Sequence, residues 1–432
     1  MNIRITPQFL RGTVVTPSSK SIGHRDLICA ALASGESVVD NISVSQDIEA
    51  TCRILRSFGA AIEEVPSEYP HRSAYRVRGG LKKQALPFAA DAGESGSTLR
   101  FLIPAALLSG NTVTFTGHGR LVARPLDPYY RLFDERGIAY ETTQGQLPLT
   151  VKGQLEPGNY ALPGDVSSQF FTGLLMTLPL LSGDSLVKST TPLESASYVD
   201  MTIDCLRQHG VEIEKEWNGS YHIPGGQAYR SGHYVVEGDY SQAAFWLAAG
   251  TLGKAVCCTG LRPDSVQGDK VIVSFIRQMG GQVEGKTELT ACPSDLEGCV
   301  LDVEDCPDLV PILAVLATCG HGVTRIIRAG LPFILGTDAY HGYLYRVHAI
   351  ATELNALGAD IEEEPEGLLI HGVGSLHGGR VSSWNDHRIA MALAIASLRC
   401  SDPVVIEGAE CVRKSYPEFW QDFASLGGAC HE

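Results

Sequence analysis

A lysine, two hydroxyl groups and an arginine lie close together near the start of the chain, in residues 19–25 with the sequence SKSIGHR. Apolar residues recur at helical spacing after this stretch, so it predicts the start of a helix with Ser21 as the N-cap. Ser21 and Arg25 are four residues apart and would share one face of that helix. Together with Lys20 they would surround free backbone N–H groups at the positive end of the helix dipole, which is an arrangement that binds anions. The alternative is an ordinary capped helix with a solvated basic side.

Five further apolar segments open with polar residues. These openings are residues 93–100 (GESGSTLR), 165–169 (DVSSQ), 238–242 (GDYSQ), 306–308 (CPD) and 385–388 (NDHR). The segments that follow are apolar nearly all round, so we expect buried helices. Their polar starts are then the parts that can face a cleft. An arginine, a Ser-Ser-Gln run or an aspartate goes beyond what a cap needs and favours a shared anion site.

A helix ending in an apolar residue and a glycine, followed by a β-like segment, recurs along the chain. The glycines are Gly59, Gly137, Gly210, Gly280, Gly358 and Gly427. They are spaced 69 to 78 residues apart, and each suits the left-handed position that ends a helix. Helices often end in glycine by chance, but six near-even spacings indicate a structural repeat. Six units suggest two domains of three units each.

Composition limits the class of protein. At 432 residues the chain exceeds what one core usually supports, which also favours two domains. The net charge of −15 argues against a general nucleic-acid binder. The longest apolar stretches are too short to span a bilayer, and the start of the chain has no apolar signal core, so we expect no membrane association and a cytoplasmic protein.

Cysteines and histidines are numerous without forming a recognised motif. The twelve cysteines contain no CxxC pair, and we interpret them as reduced thiols. The thirteen histidines are scattered without metal-ligand spacing, so we expect no metal.

Eight short motifs, in the same order along nearly the whole chain, resemble those of the enolpyruvyl transferases. They are residues 20–25, 94–101, 124–126, 164–169, 237–241, 307–308, 385–388 and 413–417. The resemblance is to the branch that acts on shikimate 3-phosphate. It implies an α/β, two-domain fold of six βαβαββ-type repeats, three per domain. The first domain would span residues 15–235 and the second residues 1–14 plus 236–432, with the active-site cleft between them and domain closure over the ligands.

The resemblance also implies a reaction. The enolpyruvyl group of phosphoenolpyruvate would be transferred to the 5-hydroxyl of shikimate 3-phosphate with release of phosphate, in the shikimate pathway of aromatic amino acid biosynthesis. It implies no cofactor and no metal, and a monomer, since the family is usually monomeric.

Family functions carry over to individual positions of this chain. The positions that match phosphoenolpyruvate-binding residues are Lys20, Gly96, Arg124, Gln169, Arg346, Arg388 and Lys414. Those that match shikimate 3-phosphate-binding residues are Ser21, Arg25, Ser167, Ser168, Gln169, Ser195, Tyr198 and Asp308. Lys20 and Asp308 match the catalytic positions, and Asp308 would accept the hydroxyl proton or orient the hydroxyl. The alternatives are surface ion pairs for the arginines, capping for the serines and a first-turn acid for Asp308.

Arg25 carries a specific expectation, and Ser195 matches the family less closely. An exposed arginine contributes little to folding, so we expect Arg25→Ala to weaken binding of shikimate 3-phosphate far more than it lowers stability. Ser195 departs from the family, which tends to have a lysine between this serine and Tyr198, whereas this chain has Ala196 and Ser197.

Residues 331–345 depart from the family pattern. Related chains carry a Lys-Glu-(Ser/Thr)-Asp-Arg motif here, but only Arg346 is in register, and Gly342 and Tyr343 stand at the lysine and glutamate positions. His341 or Asp338 would be the substitutes. This departure keeps open a degenerate or locally altered form that binds shikimate 3-phosphate with weak or no turnover. The sister transferase that acts on a UDP-amino sugar is a further alternative, although it lacks the Ser-Ser-Gln signature.

Overall fold

The computed structural model describes residues 1–80, 86–108, 110–329 and 343–432. These residues form two compact units. The inserted unit is Ser19–Val236, and the terminal unit consists of Met1–Ser18 and Glu237–Glu432. None of the described helices is long and apolar enough to cross a lipid bilayer.

The terminal unit opens with two strands, β1 (Asn2–Thr6) and β2 (Gly12–Val15). The inserted unit then contributes six α-helices, which are α1 (Lys20–Leu32), α2 (Gln46–Ser57), α3 (Gly96–Ala106), α4 (Asp127–Arg136), α5 (Gln169–Thr177) and α6 (Ala196–Gln208). Its strands are β3 (Glu36–Ile42), β4 (Ala61–Pro66), β5 (Ser73–Arg78), β6 (Phe88–Asp91), β7 (Thr112–Thr116), β8 (Ala139–Thr143), β9 (Gln146–Lys152), β10 (Asn159–Leu162), β11 (Ser185–Ser189), β12 (Glu214–Lys215), β13 (Tyr221–Ile223) and β14 (His233–Val235).

The rest of the terminal unit repeats this pattern. Its helices are α7 (Tyr240–Leu252), α8 (Ile272–Gln278), α9 (Val310–Thr318), α10 (Tyr343–Ala356), α11 (His387–Ala396) and α12 (Phe419–Ser425). Its remaining strands are β15 (Val256–Thr259), β16 (Gln282–Glu284), β17 (Leu289–Cys292), β18 (Val300–Asp302), β19 (Val323–Ile327), β20 (Asp360–Glu364), β21 (Gly367–His371), β22 (Gly379–Ser382), β23 (Val404–Glu407) and β24 (Ala429–His431).

The described strands form six four-stranded sheets, three in each unit. In the order β6-β7-β9-β8, the first two strands are parallel and the other pairs are antiparallel. A parallel pair needs a crossover, and helix α3 provides it between β6 and β7. The remaining five sheets have the orders β10-β11-β13-β12, β14-β3-β5-β4, β2-β15-β17-β16, β18-β19-β21-β20 and β22-β23-β1-β24. The predicted α/β fold of six βαβαββ-type repeats is confirmed.

Two repeats take their first strand from a distant part of the chain. Strand β2 pairs in parallel with β15, although the whole inserted unit separates them in sequence. Strand β14, at the end of the inserted unit, pairs in parallel with β3 near its start. Strand β1 lies between β23 and β24. The first strands of both units are therefore held by long-range pairing.

The first helix of each repeat is buried. In α7 every residue is buried, and α3, α9 and α11 are nearly as apolar and as enclosed. This confirms the burial predicted from their all-round apolar sequences. Each unit has its own apolar core around its buried helices. Because the bodies of these helices are buried in the core, their polar first turns are the parts that can contact a ligand.

The helix-ending glycines have the backbone conformation that the sequence predicts. All six, from Gly59 to Gly427, have positive φ between 65° and 101°. At Gly59 the chain closes the helix end with two bonds, from Gly59 N to Arg56 O and from Ala60 N to Leu55 O. Only glycine adopts this conformation without strain, so the repeated glycine marks a repeated helix end.

The predicted N-cap of the first helix is wrong by two residues. Ser19 is the cap, because its backbone is extended and its hydroxyl accepts a bond from Ile22 N at 3.4 Å. Ser21 therefore lies within the first turn of α1. Its carbonyl oxygen accepts a bond of 2.6 Å from Arg25 Nη1, so these two residues share a helix face as expected.

Candidate active site

Three of the predicted residues meet at the start of α3 in the inserted unit. Ser95 caps the helix by accepting a bond of 3.2 Å from Thr98 N, and Gly96 follows as the first helical residue. A Cβ atom placed on Gly96 would lie 2.6 Å from Arg124 Nη1 and 3.5 Å from Gln169 Oε1. The missing side chain is thus what allows Arg124 to lie against the helix start.

Arg100 holds Gln169 in place. Its Nη1 donates to Gln169 Oε1 at 2.9 Å, and its Nη2 donates to Pro125 O at 3.1 Å. The Gln169 amide is fixed at its other end, since Nε2 donates to Ser97 Oγ at 3.1 Å. The Arg100 guanidinium also lies over the Phe170 ring, 4.9 Å from its centre. The sequence predicted that the arginine of residues 93–100 favours an anion site, but it predicted no contact between Arg100 and Gln169.

Lys20 pairs with an acid that the sequence analysis did not single out. Its Nζ lies 2.8 Å from Asp47 Oδ2, and the two side chains are only 18% and 16% exposed. Asp47 stands in the first turn of α2, which Ser45 caps. The signal for this pair was weak, because 27 residues separate the partners and the acid looks like a normal first-turn residue.

Arg25 is buried, which corrects the expectation of an exposed arginine. Besides its bond to the Ser21 carbonyl, it donates from Nε to Thr202 Oγ1 at 2.9 Å and from Nη2 to Tyr198 O at 3.0 Å. Burial lowers the pKa of Arg25 to about 10. Because α1 is enclosed nearly all round, its basic residue cannot lie on a solvated side. Arg25 therefore joins α1 to α6 and contributes to the fold as well as to the site.

The predicted serines lie at two helix starts. The Ser167 hydroxyl accepts a bond of 3.3 Å from Gln169 N, whereas Ser168 is buried and its side chain makes no capping bond. Ser195 precedes α6 in the left-handed conformation, with φ of 54°. A left-handed backbone is uncommon for a residue other than glycine, and such residues cluster at functional sites. Tyr198 follows in the first turn of α6, and its N–H donates to Ser195 O at 3.1 Å.

In the terminal unit one carboxylate lies between two arginines. Asp308 stands on the 3-10 turn Pro307–Leu309 that leads into α9. Its Oδ1 lies 2.5 Å from Arg346 Nη1, and its Oδ2 lies 2.6 Å from Arg388 Nη2. Arg346 comes from α10 and Arg388 from α11, so the fold brings these three predicted residues together.

Asp386 fixes both arginines from the other side. Its Oδ2 accepts a bond of 2.8 Å from Arg346 Nε, and its Oδ1 accepts the backbone N–H of Arg388 at 2.8 Å as the N-cap of α11. Burial alone would raise the pKa of Asp386, but the charges of Arg346 and His387 outweigh it and hold the pKa well below the usual range. Asp386 lies in the motif of residues 385–388, from which no role was predicted for it, and its bonds position both arginines.

Lys414 and Ser241 complete this group. Lys414 Nζ donates to Asn385 O at 3.1 Å, directly before α11. Trp384 and Asn385 both have left-handed backbones there, with φ of 53° and 54°. Ser241, in the first turn of α7, accepts a bond of 3.2 Å from Arg388 Nη2. The starts of α7, α9 and α11 therefore converge on one set of charged side chains.

Most of the segment that departs from the family motif lies outside the described residues. Asp338, His341 and Gly342 lie outside the described residues, and α10 begins at Tyr343. The substitution of His341 or Asp338 for the missing lysine and glutamate remains a prediction.

Known proteins resemble the chain over its full length. The family model for EPSP synthase (3-phosphoshikimate 1-carboxyvinyltransferase) matches residues 5–423. A protein of Clostridium kluyveri named 3-phosphoshikimate 1-carboxyvinyltransferase is 49% identical, over 100% of this chain and 98% of its own length. A protein of the same name from Clostridium acetobutylicum is 48% identical, again over 100% and 98%.

Solved structures agree with this match. The EPSP synthase of Acinetobacter baumannii is 26% identical, with a TM-score of 0.80 and 100% of both chains covered. The enolpyruvyl transferase NikO of Streptomyces tendae has a TM-score of 0.78 over 100% of this chain and 98% of its own. Its sequence identity is only 19%, so this similarity supports the fold alone. By its sequence and its fold, the chain belongs to the EPSP synthase (3-phosphoshikimate 1-carboxyvinyltransferase) family.

Proposed function

We propose that the chain transfers the enolpyruvyl group of phosphoenolpyruvate to the 5-hydroxyl of shikimate 3-phosphate and releases inorganic phosphate. The observation that carries this proposal is the full-length match to named transferases at up to 49% identity. The arrangement of charged side chains in both units supports it, because both substrates are anions. No cofactor or metal takes part in the proposed reaction.

We propose that five cations bind phosphoenolpyruvate. In the inserted unit these are Lys20 and Arg124, beside Gly96 and Gln169. In the terminal unit they are Arg346, Arg388 and Lys414. A planar guanidinium matches a carboxylate or a phosphate through two parallel bonds, so arginines suit a substrate that carries both groups. The lack of a side chain at Gly96 would let this substrate approach the backbone N–H groups at the start of α3.

Shikimate 3-phosphate would be held by the starts of α1, α5 and α6. Arginine has five N–H groups, and three from Arg25 donate to the protein within the described residues. The other two would bind an anionic group of the substrate without a change of rotamer. The hydroxyls of Ser21, Ser167, Ser168 and Ser195, with Tyr198 and the Gln169 amide, would supply the neutral bonds to the substrate.

Asp308 would act on the reacting hydroxyl. Its two ion pairs hold the carboxylate in one orientation, which is what a group that accepts or directs a proton requires. Arg346 and Arg388, which hold it, are also proposed to bind phosphoenolpyruvate. The incoming anion would then compete with Asp308 for both arginines and leave at least one carboxylate oxygen available for the 5-hydroxyl.

Phosphate release under steady-state conditions tests the proposal. The untagged chain is mixed with phosphoenolpyruvate and either shikimate 3-phosphate or a UDP-amino sugar, and Asp308→Asn serves as the inactive control. Release only with shikimate 3-phosphate is the expected result. Release with the UDP-amino sugar would assign the sister activity. Calorimetric binding of shikimate 3-phosphate without release would assign the degenerate, non-catalytic form.

We further propose that the protein acts as a monomer in the cytoplasm. Each of the twelve cysteines, all of which lie in described residues, is a free thiol, as a reducing compartment requires. Size-exclusion chromatography with light scattering, across a wide range of protein concentration, should give the mass of a single chain of 46.4 kDa. A stable mass of twice that value would contradict the monomer.

A further inference from the structure

Four side chains of residue types that can bind metals lie close together between α1 and α6. Asp26 and Cys29 are three residues apart on α1, and Cys205 on α6 is four residues before His209, the C-cap of that helix. Both spacings place the pair on one face of its helix. Sequence reasoning found no metal-ligand spacing, because each helix contributes only half of the set and 175 or more residues separate the halves.

The ligand atoms are already close. Those of Cys29, Cys205 and His209 all lie within 4.8 Å of one another. Asp26 Oδ1 lies 3.1 Å from Cys205 Sγ and 3.0 Å from His209 Nε2. Zinc binds sulfur at about 2.3 Å and nitrogen at about 2.0 Å, so tetrahedral ligand atoms lie roughly 3.5 Å apart. Movement of these side chains to that spacing would complete such a site.

The environment also suits a bound cation. His209 and Cys29 have no exposed surface, and Asp26 is 5% exposed, so water would not compete for the ion. Two thiolates and one carboxylate carry three negative charges. A bound divalent ion would leave the cluster with a net charge of one negative unit. The neighbouring buried guanidinium of Arg25, which interacts electrostatically with Cys29, Cys205 and Asp26, would balance the last one.

We propose that Asp26, Cys29, Cys205 and His209 form a structural metal site that takes a thiophilic divalent ion, with zinc as the preferred metal. Two sulfurs, one imidazole nitrogen and one carboxylate oxygen are a closed tetrahedral zinc set, and magnesium or calcium would not choose it. The thiols lose their protons as they bind. The site is structural because all four positions are filled by protein.

The ion would tie together two helices that hold the proposed substrate site. Asp26 directly follows Arg25 on α1, and Arg25 donates to Thr202 and Tyr198 of α6. Thr202 and Cys205 are three residues apart and so share a face of α6. Occupancy is thus expected to raise stability and to tighten the binding of shikimate 3-phosphate. The metal site itself does not depend on the proposed reaction.

Metal binding to the intact chain is the first test. Untagged protein is stripped of metal with a chelator in the presence of a phosphine reductant and then titrated with Zn²⁺ or Co²⁺. We expect about one tightly bound ion per chain, a thiolate-to-cobalt charge-transfer band and strong visible bands of tetrahedral cobalt. At a zinc concentration a hundredfold above Kd, the thermal midpoint should rise by roughly 5–10 °C.

Variants assign the ion to the cluster. Cys205→Ala and His209→Gln should each abolish the cobalt charge-transfer band or shift it, and should weaken zinc binding at least tenfold. Cys52→Ala is the matched control, since Cys52 is an equally buried cysteine of the same unit outside the cluster. It should leave zinc affinity and the cobalt spectrum unchanged.

Several results would overturn the proposal. They are absence of tight metal binding to the unmodified chain, a cobalt spectrum without a thiolate band, and full metal affinity in Cys205→Ala. The first two do not depend on any variant folding. A Cys29–Cys205 disulfide found by peptide mapping in protein that binds no metal would identify a redox pair and equally exclude the metal site.

Discussion

Replacement of Gly96 by alanine tests whether the start of α3 binds phosphoenolpyruvate, as we propose. The new Cβ would lie 2.6 Å from Arg124 Nη1, whereas real Cβ contacts are rarely closer than about 3.4 Å. The backbone of Gly96 is helical and needs no left-handed conformation, so alanine itself fits the helix. The guanidinium of Arg124 is the flexible partner and should move away by about 0.8 Å, which is the difference between the two distances.

The size of the effect follows from what Arg124 is proposed to hold. A charge-assisted bond to a ligand contributes about 1.5–3 kcal/mol. At about 1.4 kcal/mol for each factor of ten, its loss raises KM for phosphoenolpyruvate roughly 10- to 150-fold. Inhibition by glyphosate, the known inhibitor of the family, should weaken as well. Stability should stay the same or rise slightly, because alanine is favoured over glycine in a helix by about 0.5–1 kcal/mol.

The assay is steady-state phosphate release with each substrate varied in turn, together with a thermal melt. Gly23→Ala is the matched control, because Gly23 is also in the first turns of a buried helix. Its added Cβ would meet only the side chains of Ile42 and Ile48, at 3.2 and 3.4 Å. KM for shikimate 3-phosphate should change little in Gly96→Ala. If KM for phosphoenolpyruvate and glyphosate inhibition both stay at the parent values, Gly96 has only a structural role at the start of α3, and Arg124 does not bind this substrate.

Four further changes test other parts of the site. Asp308→Asn should lower kcat by roughly 10²–10⁴ with the fold intact by circular dichroism, and parental kcat would exclude proton transfer by this residue. Arg25→Lys should weaken the calorimetric binding free energy of shikimate 3-phosphate by about 1.5–3 kcal/mol and also lower the thermal midpoint, since Arg25 bonds within α1 and to α6; a changed midpoint with unchanged Kd would make it purely structural. Burial lowers the pKa of His24 to about 3, so its protonation below the unfolded pKa of 6.5 favours unfolding, and this one group should lower stability by about 2 kcal/mol between pH 7.5 and 5.0 relative to a variant without it. His24→Gln should remove that loss in denaturant titrations, and an equal loss in the variant would contradict the assignment. Replacement of residues 331–345 by a segment with Lys-Glu-Ser-Asp before Arg346 should raise turnover by roughly 10²–10⁴ if the chain lacks a proton donor, whereas equal turnover would show that the departure is harmless.

Local patterns in the sequence were enough to predict the repeat. A helix end that needs a left-handed residue selects glycine, and Gly59 and its five counterparts mark that end in each unit. Burial of the first helix in each repeat was equally predictable, because α7 and α9 have no polar face. These features depend on neighbours within a few residues, which a single sequence displays directly.

Pairing between distant side chains was not predictable in the same way. Lys20 and Asp47 are 27 residues apart, and Arg346 and Asp386 are 40 apart, so no spacing rule connects them. The burial of Arg25 was missed because a basic residue in a helix is usually solvated, and only the enclosure of α1 by neighbouring helices removes that option. The N-cap was misplaced because Ser19 and Ser21 are chemically alike, and the backbone conformation alone distinguishes them.

The ion pairs of the terminal unit would link the proposed binding of phosphoenolpyruvate to the state of Asp308. Arg346 and Arg388 face Asp308 and Asp386, so the charges of these four side chains balance. A phosphate or carboxylate brought by the substrate adds negative charge, and repulsion between it and Asp308 favours release of the Asp308 oxygens from the arginines. Asp386 keeps its bonds to the backbone and to Arg346 Nε, so the arginines stay in position while Asp308 is released. Binding of phosphoenolpyruvate would therefore free the carboxylate that we propose to act on the 5-hydroxyl of shikimate 3-phosphate. This mechanism predicts that Asp308→Asn lowers kcat while phosphoenolpyruvate binds at least as tightly as to the parent chain.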